Sequence, residues 1–248
     1  MAIVWQKTVD NIDYQVRSAG NTKRLYTDGV FHSQYNSKKP VTGSVWDLLL
    51  LPAFFHPLGK LRRVLVLGVG GGAVVNQLND FLSPESIDAV ELNPVHLRIA
   101  RRFFGVDRAN VNLHQADAVE WLKSYRGPKF DLIIDDLFGE EAGEPCRAVA
   151  AEKTWCQLLR RNLSTDGTLV MNFDTPAGRR NSYWHDNESH RWSKYFEFST
   201  PLYSNSVGVW TRQVSENLAS RFRANLCQFS DLDANKKSCK LSYLMRQK

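Results

Sequence analysis

The sequence has few cysteines and no long apolar run, and both scarcities exclude whole classes of protein. The four cysteines among 248 residues lie far apart and form no C-x-x-C pair, which argues against a zinc site and a disulfide framework. No segment reaches the roughly 18 apolar residues of a membrane-spanning helix. The N-terminus also lacks the basic start and apolar core of a secretory signal. We therefore expect a cytoplasmic protein without a membrane segment or a bound metal.

The C-terminal third is the part of the sequence in which acidic residues are fewer than basic ones. The net charge of +6 arises after residue 174, because basic and acidic side chains balance before that point. Arg179-Arg180 and Lys236-Lys237 could face an anionic substrate or nucleic acid. No aromatic side chains are interleaved with these pairs, so a solvated basic surface is the favoured interpretation. A nucleic-acid partner is not expected, although the basic segment leaves it open.

Residues 1–44 have the pattern of a small β-strand subdomain. Three β-rich segments separated by turn-forming residues cover 3–7, 14–18 and 24–31. They predict a small antiparallel sheet. A bridging helix is predicted near 45–55, at the start of a larger domain that spans 45–248.

In the larger domain, buried strands alternate with amphipathic helices. Short aliphatic runs, typical of parallel strands buried on both faces, cover residues 64–67, 87–91, 111–114, 132–135 and 169–173. Alternating strands and helices predict a mostly parallel, twisted sheet covered on both faces. Residues 194–200 and 206–212 predict a C-terminal antiparallel hairpin. A helix with Leu218, Phe222, Leu226 and Phe229 on one side is predicted after it.

The sharpest motif is a glycine-rich turn between the first core strand and the following helix. It reads VLVLGVGGGA from Val64 to Ala73. Gly68, Gly70 and Gly72 let the backbone turn tightly and approach a ligand, and they leave helix-terminal amides free for polar or negative groups. Because the spacing also fits the dinucleotide fingerprint G-x-G-x-x-A, the loop alone indicates a nucleotide-type cofactor and no more.

Acidic residues follow the next three strands. Glu91 ends the second strand, where a carboxylate can accept hydrogen bonds from both ribose hydroxyls. Asp117 follows the third strand and can accept a hydrogen bond from the adenine amino group, and Ala118 leaves room for the ring. Asp135 and Asp136 end the fourth strand, at the edge where ligands bind in open α/β sheets. Such a series along successive strands predicts one ligand site.

These motifs, in this order, resemble the spermidine and spermine synthase family, whose catalytic domain has the Rossmann-like class I methyltransferase fold. The resemblance covers most of the chain. Asp28-Gly29-Val30 is similar to the family's L-D-G strand, Gly68 to Ala73 to its glycine loop, and residues 131–136 to its D-V-I-I-x-D segment. Residues 199–209 are similar to its late hairpin.

The resemblance implies a bound sulfonium nucleoside, either S-adenosylmethionine or its decarboxylated form. It implies that this cofactor lies across Gly68, Glu91 and Asp117, and that a group passes to a small-molecule acceptor. Asp136 would orient or deprotonate the acceptor, with Asp135 as the alternative. His32 and Gln34 would line the far side of the cofactor. A homodimer is possible.

Several positions depart from the family pattern. Gly71 stands where family members carry Asp inside the glycine loop, and Gly139 replaces the second Asp of the catalytic loop. His32 replaces the family's Gln, with Gln34 two residues later on the same strand face. The acidic and tyrosine positions that hold the diamine fall on Ser37-Lys38, Ser44 and Trp46.

These departures favour intact S-adenosylmethionine and methyl transfer over aminopropyl transfer. A polyamine needs a line of carboxylates, because unpaired buried charges are costly. A loop Asp, which pairs with the amine of the decarboxylated cofactor in a synthase, would repel the carboxylate of the intact one. An acidic pocket could be partly rebuilt from Asp47, Glu140, Glu141 and Glu144.

Three other readings stay open: a polyamine aminopropyltransferase, a nicotinamide oxidoreductase, and a non-catalytic relative that only binds the cofactor. In the loop near residue 190, Tyr183, Trp184 and Trp192 could cover the acceptor pocket. The neighbouring His185, Asp186, Glu188 and His190 match no metal-binding spacing.

Overall fold

An antiparallel sheet opens the chain. The computed structural model describes residues 1–141, 144–186, 191–237 and 239–247. The first four strands pair in sequence order; they are β1 (Ala2–Val9), β2 (Ile12–Ala19), β3 (Thr22–Thr27) and β4 (Val30–Asn36). The prediction of one strand over residues 24–31 is wrong, because Asp28 and Gly29 adopt φ angles of 46° and 84°. Asp and Gly tolerate this left-handed conformation, and here they form the tight β3–β4 turn.

A twisted, mostly parallel sheet forms the centre of the molecule, as predicted. Its order is β14-β12-β13-β11-β8-β5-β6-β7. The strands are β5 (Arg63–Leu67), β6 (Ser86–Glu91), β7 (Val111–Gln115), β8 (Phe130–Asp135), β11 (Leu163–Phe173), β12 (Lys194–Ser199), β13 (Ser206–Thr211) and β14 (Leu244–Gln247). Strands β12 and β13 form the predicted antiparallel hairpin. This arrangement confirms the class I methyltransferase fold. Strands β9 (Phe138–Glu141) and β10 (Glu144–Arg147) form a separate ribbon.

Helices cover both faces of this sheet. They are α1 (Val45–Leu50), which continues as a 3-10 helix (Leu51–Phe55), α2 (Ala73–Phe81), α3 (Pro94–Ile99), which continues as a π-helical turn (Ala100–Phe104), α4 (Ala118–Ser124), α5 (Lys153–Asn162), α6 (Pro176–Arg180), α7 (Tyr183–Asp186) and α8 (Leu218–Leu226). The predicted extension of the last helix to Phe229 is wrong, although Phe229 still packs on the core. None of the helices in the described ranges is long and apolar enough to cross a bilayer.

The core lies in two layers because neighbouring residues of a strand face opposite sides of the sheet. Along β5, Val64 and Val66 pack on one face and Leu65 and Leu67 on the other. Both faces are buried, which explains why the parallel strands are continuous aliphatic runs. Because the side chains within the strands are buried in the core on both faces, the residues at and just beyond the strand ends are the ones that can form a site.

The N-terminal sheet packs against the carboxyl edge of the central sheet. Tyr35 Oη donates to Asp80 at 2.5 Å, and Lys23 Nζ donates to the carbonyl of Phe103 at 2.7 Å. These contacts hold β3 and β4 against α2 and the π-helical turn, and the carbonyl of His32 on β4 lies against Gly70 of the glycine loop. The division of the chain at residue 44 into two domains stays a prediction.

Candidate functional site

A cavity of about 1010 Å³ lies between the N-terminal sheet and the carboxyl edge of the central sheet. The central sheet contributes four of the predicted site residues that follow successive strands: Gly68, Glu91, Asp117 and Asp136. Gly70 and Ala118 also line it, and His32 reaches it from β4. The fold therefore brings seven of the ten predicted site residues to one cavity. Their roles as ligands stay predictions.

The glycine loop is held between two backbones. A Cβ atom at Gly68 would lie 2.2 Å from the carbonyl oxygen of Asp136, and one at Gly70 would lie 3.0 Å from that of His32. Both glycines also have positive φ angles. Gly72 does not line the cavity; it precedes α2, where a Cβ would lie 2.2 Å from Val106. The loop thus tolerates no side chain at these positions.

Glu91 binds the backbone of this loop. Its Oε2 accepts hydrogen bonds from the amides of Val69 at 3.0 Å and Gly70 at 2.9 Å. Its Oε1 accepts one from the amide of Asn93 at 2.9 Å. The glycine loop therefore presents two converging N–H groups that bind a carboxylate.

Asp117 caps helix α4. Its Oδ1 accepts a hydrogen bond from the amide of Glu120 at 3.0 Å, while the side chain is exposed at the rim of the cavity. Within the described part of the chain, Oδ2 has no hydrogen-bond partner, so it is available to a ligand. Ala116 and Ala118 form a smooth wall beside it.

Two histidines lie on the side of the cavity formed by β4 and α3. The rings of His32 and His96 are 5.1 Å apart, and His96 Nε2 lies 2.8 Å from Thr27 Oγ1. The pKa of each histidine is lowered to about 4, for His96 by burial and for His32 by burial together with the neighbouring His96, against an opposing effect of Glu91. Both rings are therefore neutral at pH 7 and do not repel a cationic ligand.

Gln34 does not line the cavity, contrary to the expectation that it would contact the cofactor. Its side-chain oxygen accepts a hydrogen bond from Arg24, and its Nε2 donates to Ser44 Oγ at 3.5 Å. Gln34 thus joins β3 and β4 to the loop before α1.

Asp136 is the carboxylate at one end of the cavity, which we define by Asp136, Asn172, Tyr203 and Asn205 and name the acceptor end after the role that the family resemblance implies for Asp136. Its Oδ1 accepts a hydrogen bond from Asn172 Nδ2 at 2.8 Å. Burial raises the pKa of Asp136 to about 6, and the hydrogen bond from Asn172 opposes this rise. The group still ionises near neutral pH, as a general base requires.

Asp135 is placed away from the cavity, so the structure corrects its assignment as the alternative catalytic residue. It is fully buried. Its Oδ2 accepts hydrogen bonds from Arg147 Nη2 at 2.9 Å and Trp155 Nε1 at 2.8 Å. Asp135 joins β8 to β10 and α5, and its role is structural.

The expected replacement acid Asp47 also has a structural role. It is buried and accepts hydrogen bonds from the amide of Gly43 at 2.7 Å and from Gln77 Nε2 at 2.6 Å. Burial raises the pKa of Asp47 to about 6. The side chains of Glu140, Glu141 and Glu144 lie outside the described residues. Trp46, at one of the positions that the resemblance assigns to the diamine, lines the cavity with an apolar ring.

The tryptophans suggested as a cover for the acceptor pocket belong to the core. Trp184 and Trp192 are 1% and 7% exposed, and their rings pack edge to face with centroids 5.2 Å apart. Of the nearby metal-like cluster, Glu188 and His190 and the side chains of His185 and Asp186 lie outside the described residues. Among the described residues, no group of three or more His, Cys, Asp or Glu side chains is placed to hold a metal ion.

Several lining residues escaped the sequence analysis, and three polar ones among them are His96, Asn172 and Asn205. His96 lies in the first turn of α3. The sequence pattern that could have identified it is the Asn93-Pro94 helix start directly after Glu91, which places the first helical turn beside the site. Asn172 lies at the carboxyl end of β11, the same kind of position that identified Glu91 and Asp136. Asn205 follows the tip of the β12–β13 hairpin, and no sequence pattern pointed to it.

The cavity wall is acidic. Its described lining includes Asp28, Glu91, Asp117 and Asp136 but no lysine or arginine. A low-dielectric cleft lined by carboxylates attracts cations and repels anions. The geometry therefore suits a positively charged ligand with polar ends.

Comparison with known proteins gives concordant results. The spermine/spermidine synthase domain model matches residues 47–213. A polyamine aminopropyltransferase of Vibrio vulnificus is 29% identical over 160 residues, which cover 62% of this chain and 50% of that protein. An eEF1A lysine and N-terminal methyltransferase of Mus musculus is 29% identical over 116 residues, 44% of this chain and 17% of that protein.

The fold is also that of a solved protein structure. A probable spermidine synthase from Corynebacterium glutamicum superposes with a TM-score of 0.74 at 17% identity, covering 99% of this chain and 91% of that one. By contrast, the chain spans only half the length of the Vibrio protein and less of the mouse protein.

Proposed function

The chain belongs to the spermine and spermidine synthase family, and on this basis we propose that it is a methyltransferase that uses S-adenosylmethionine and a small-molecule acceptor. Its sequence relatives are transferases of both the aminopropyl and the methyl kind. The choice between the two depends on the residues that would meet the amino-acid end of the cofactor.

The residues around the cavity fit a sulfonium nucleoside. Glu91 would accept hydrogen bonds from the ribose hydroxyls, and the free Oδ2 of Asp117 would accept one from the adenine amino group. The neutral rings of His32 and His96 and the acidic wall suit a positively charged sulfur. When bound, S-adenosylmethionine supplies a methyl group whose leaving group is already activated by that charge.

Position 71 carries the case for the intact cofactor. A Cβ at Gly71 would lie 2.8 Å from Ser33 Cβ and 3.0 Å from a ring carbon of Phe104. The synthase-type Asp therefore has no space at this position, and no loop carboxylate repels the carboxylate of the cofactor.

Asp136 would act on the acceptor. It lies at the carboxyl end of β8, where one oxygen is held by Asn172 and the other can take a proton. Holding the acceptor beside the cofactor lowers the barrier by removing translational freedom, worth about 7–11 kcal/mol in favourable cases. A negatively charged acceptor would be repelled by the same acidic wall, so we expect a neutral or cationic nucleophile.

A polyamine aminopropyltransferase is the second candidate, and the acidic cavity wall is the observation that favours it. Against it stands the loss of the diamine positions. Lys38 is exposed, Ser44 is buried and Trp46 presents an apolar ring. A polycation would therefore lack the spaced carboxylates that compensate its charges.

Transfer of tritium from methyl-labelled S-adenosylmethionine to fractions of a small-molecule extract tests the proposal. We expect a labelled product whose formation falls by about 10²–10⁴-fold in Asp136→Asn. A parallel reaction contains decarboxylated S-adenosylmethionine and putrescine. Turnover in that reaction alone would establish the second candidate. Cofactor binding with no product in any fraction would instead indicate a non-catalytic relative.

A further inference from the structure

Three side chains form a hydrogen-bonded chain at the acceptor end of the cavity. Asn205 Nδ2 donates to Asn172 Oδ1 at 3.1 Å, and Asn172 Nδ2 donates to Asp136 Oδ1 at 2.8 Å. All three residues line the cavity. They come from the end of β8, from β11 and from the segment before β13, so the tertiary fold alone brings them together.

The chain has a direction. If the amide of Asn172 were reversed, its oxygen would face the carboxylate of Asp136 and its NH₂ group would face that of Asn205. The contact with Asp136 would be repulsive, because an amide oxygen only accepts, and the contact with Asn205 would be repulsive unless the amide of Asn205 reversed as well. The carboxylate of Asp136 favours the orientation in which Asn172 donates, and Asn205 reinforces that orientation by donating to Asn172 Oδ1.

The backbone of Asn172 is fixed independently of its side chain. Its carbonyl accepts a hydrogen bond from Arg147 Nη1 at 2.5 Å, and β11 pairs with β13 on one side and β8 on the other. The side chain itself is 3% exposed. Reversal of the amide is thus the movement left to this residue, and Asn205 opposes it.

The charges around Asp136 make this orientation important. Asp135 and Glu91 disfavour the ionised carboxylate, whereas Asn172 and Arg147 favour it, and burial raises the pKa of Asp136 to about 6. Arg147 is already engaged with Asp135. The donor from Asn172 is therefore the neutral contact that keeps Asp136 able to ionise near pH 7.

We propose that Asn205 is a positioning residue that, through Asn172, holds Asp136 with Oδ1 hydrogen-bonded and Oδ2 left for a proton of the acceptor. Within the described residues, Asp136 Oδ2 accepts no hydrogen bond. That the bound molecule is an acceptor rests on the proposed function. The hydrogen bonds among Asn205, Asn172 and Asp136 do not depend on it, because they are present without any ligand.

Titration of the Asp136 carboxyl carbon by NMR tests the proposal in protein labelled with 13C-aspartate. The signal that disappears in Asp136→Asn identifies the residue. In Asn205→Ala we expect the pKa of Asp136 to rise by about half a unit to one unit, the equivalent of one lost hydrogen bond. Asn205→Ser, which keeps a donor, should give a smaller rise. Asn217→Ala is the matched control, because Asn217 is exposed and caps nothing through its side chain.

The Asn172→Leu variant, used as a second background, separates a direct effect of Asn205 on Asp136 from the proposed effect through Asn172. Asn172→Leu removes the donor to Asp136, so adding Asn205→Ala to it should change the pKa of Asp136 no further. The proposal is overturned if Asn205→Ala leaves the titration unchanged, if Asn217→Ala shifts it equally, or if Asn205→Ala acts with full effect in the Asn172→Leu background. None of these results requires cofactor or acceptor, so they are independent of whether the protein is a methyltransferase.

Discussion

Asp135 and Asp136 are adjacent in sequence but have opposite surroundings. They lie at the end of β8, where neighbouring side chains point to opposite sides. Asp135 is paired with Arg147 and Trp155 inside the protein, whereas Asp136 faces the cavity with one hydrogen bond. The two carboxylates should therefore affect stability in opposite directions.

The isosteric variants Asp135→Asn and Asp136→Asn test this difference. At pH 7 we expect Asp136→Asn to increase the free energy of unfolding by about 1–3 kcal/mol. Because its folded-state pKa is raised from 3.8 to about 6, the stability that Asp136 contributes below pH 4 is lost as pH rises through 6. The stability gained by the Asp136→Asn variant should therefore disappear near pH 4.

Asp135→Asn should lower the free energy of unfolding by about 3 kcal/mol or more, because Arg147 loses its charged partner. Urea unfolding at both pH values measures these changes, and equal losses in the two variants would contradict the assignment.

Asp117 combines a structural and a proposed binding role, and one substitution separates them. Asp117→Ser keeps a side-chain oxygen that can cap α4, so stability should change by less than about 0.5 kcal/mol. It removes the exposed Oδ2, and we expect the affinity for S-adenosylmethionine to fall about tenfold. Calorimetric titration gives this ratio, with Asp107→Ala on the exposed surface as the control. An unchanged affinity would show that adenine does not contact Asp117.

Residue patterns predicted where some side chains would lie but not what they would contact. Glu91, Asp117 and Asp136 could be placed because the carboxyl ends of parallel strands share one edge. Gln34 and Asp135 could not, because their burial depends on Arg24 and Arg147, which come from other parts of the chain. Asn205 was missed because its contact with Asn172, 33 residues away in the chain, depends on the tertiary fold.

At the scale of elements, the contact between β4 and the glycine loop determines the shape of the site. Ser33 is 1% exposed and lies against Gly71, and the carbonyl of His32 lies against Gly70. The two sheets therefore share this wall of the cavity. A side chain added at the contact must displace one sheet from the other.

Two alanine substitutions probe this contact. Gly71→Ala should lower the free energy of unfolding by about 1–3 kcal/mol, because its Cβ would overlap Ser33. Gly139→Ala is the matched control. Like Gly71 it has no positive φ, but its Cβ would meet Ala148 at an ordinary 3.8 Å. Thermal or urea unfolding of both variants checks the prediction, and a stable Gly71→Ala protein would remove the argument that position 71 excludes an acid.

At the scale of the whole molecule, the central sheet was predictable and its edges were not. Buried parallel strands are recognisable as aliphatic runs, which identified β5 to β8 and the end of β11. Strand β14 and the β9–β10 ribbon are short, and their pairing is set by neighbours that the sequence does not reveal. The Asp28-Gly29 turn was missed because the segments on both sides of it are β-rich.

The central claim is that the molecule binds the intact sulfonium cofactor. The most direct measurement is a side-by-side calorimetric titration of the protein with S-adenosylmethionine and its decarboxylated form. We expect the intact cofactor to bind at least about tenfold more tightly, because no loop carboxylate at position 71 repels the carboxylate of the intact cofactor. Preference for the decarboxylated form would contradict this reading of Gly71 and restore the aminopropyltransferase, and binding of neither would contradict the cofactor site itself.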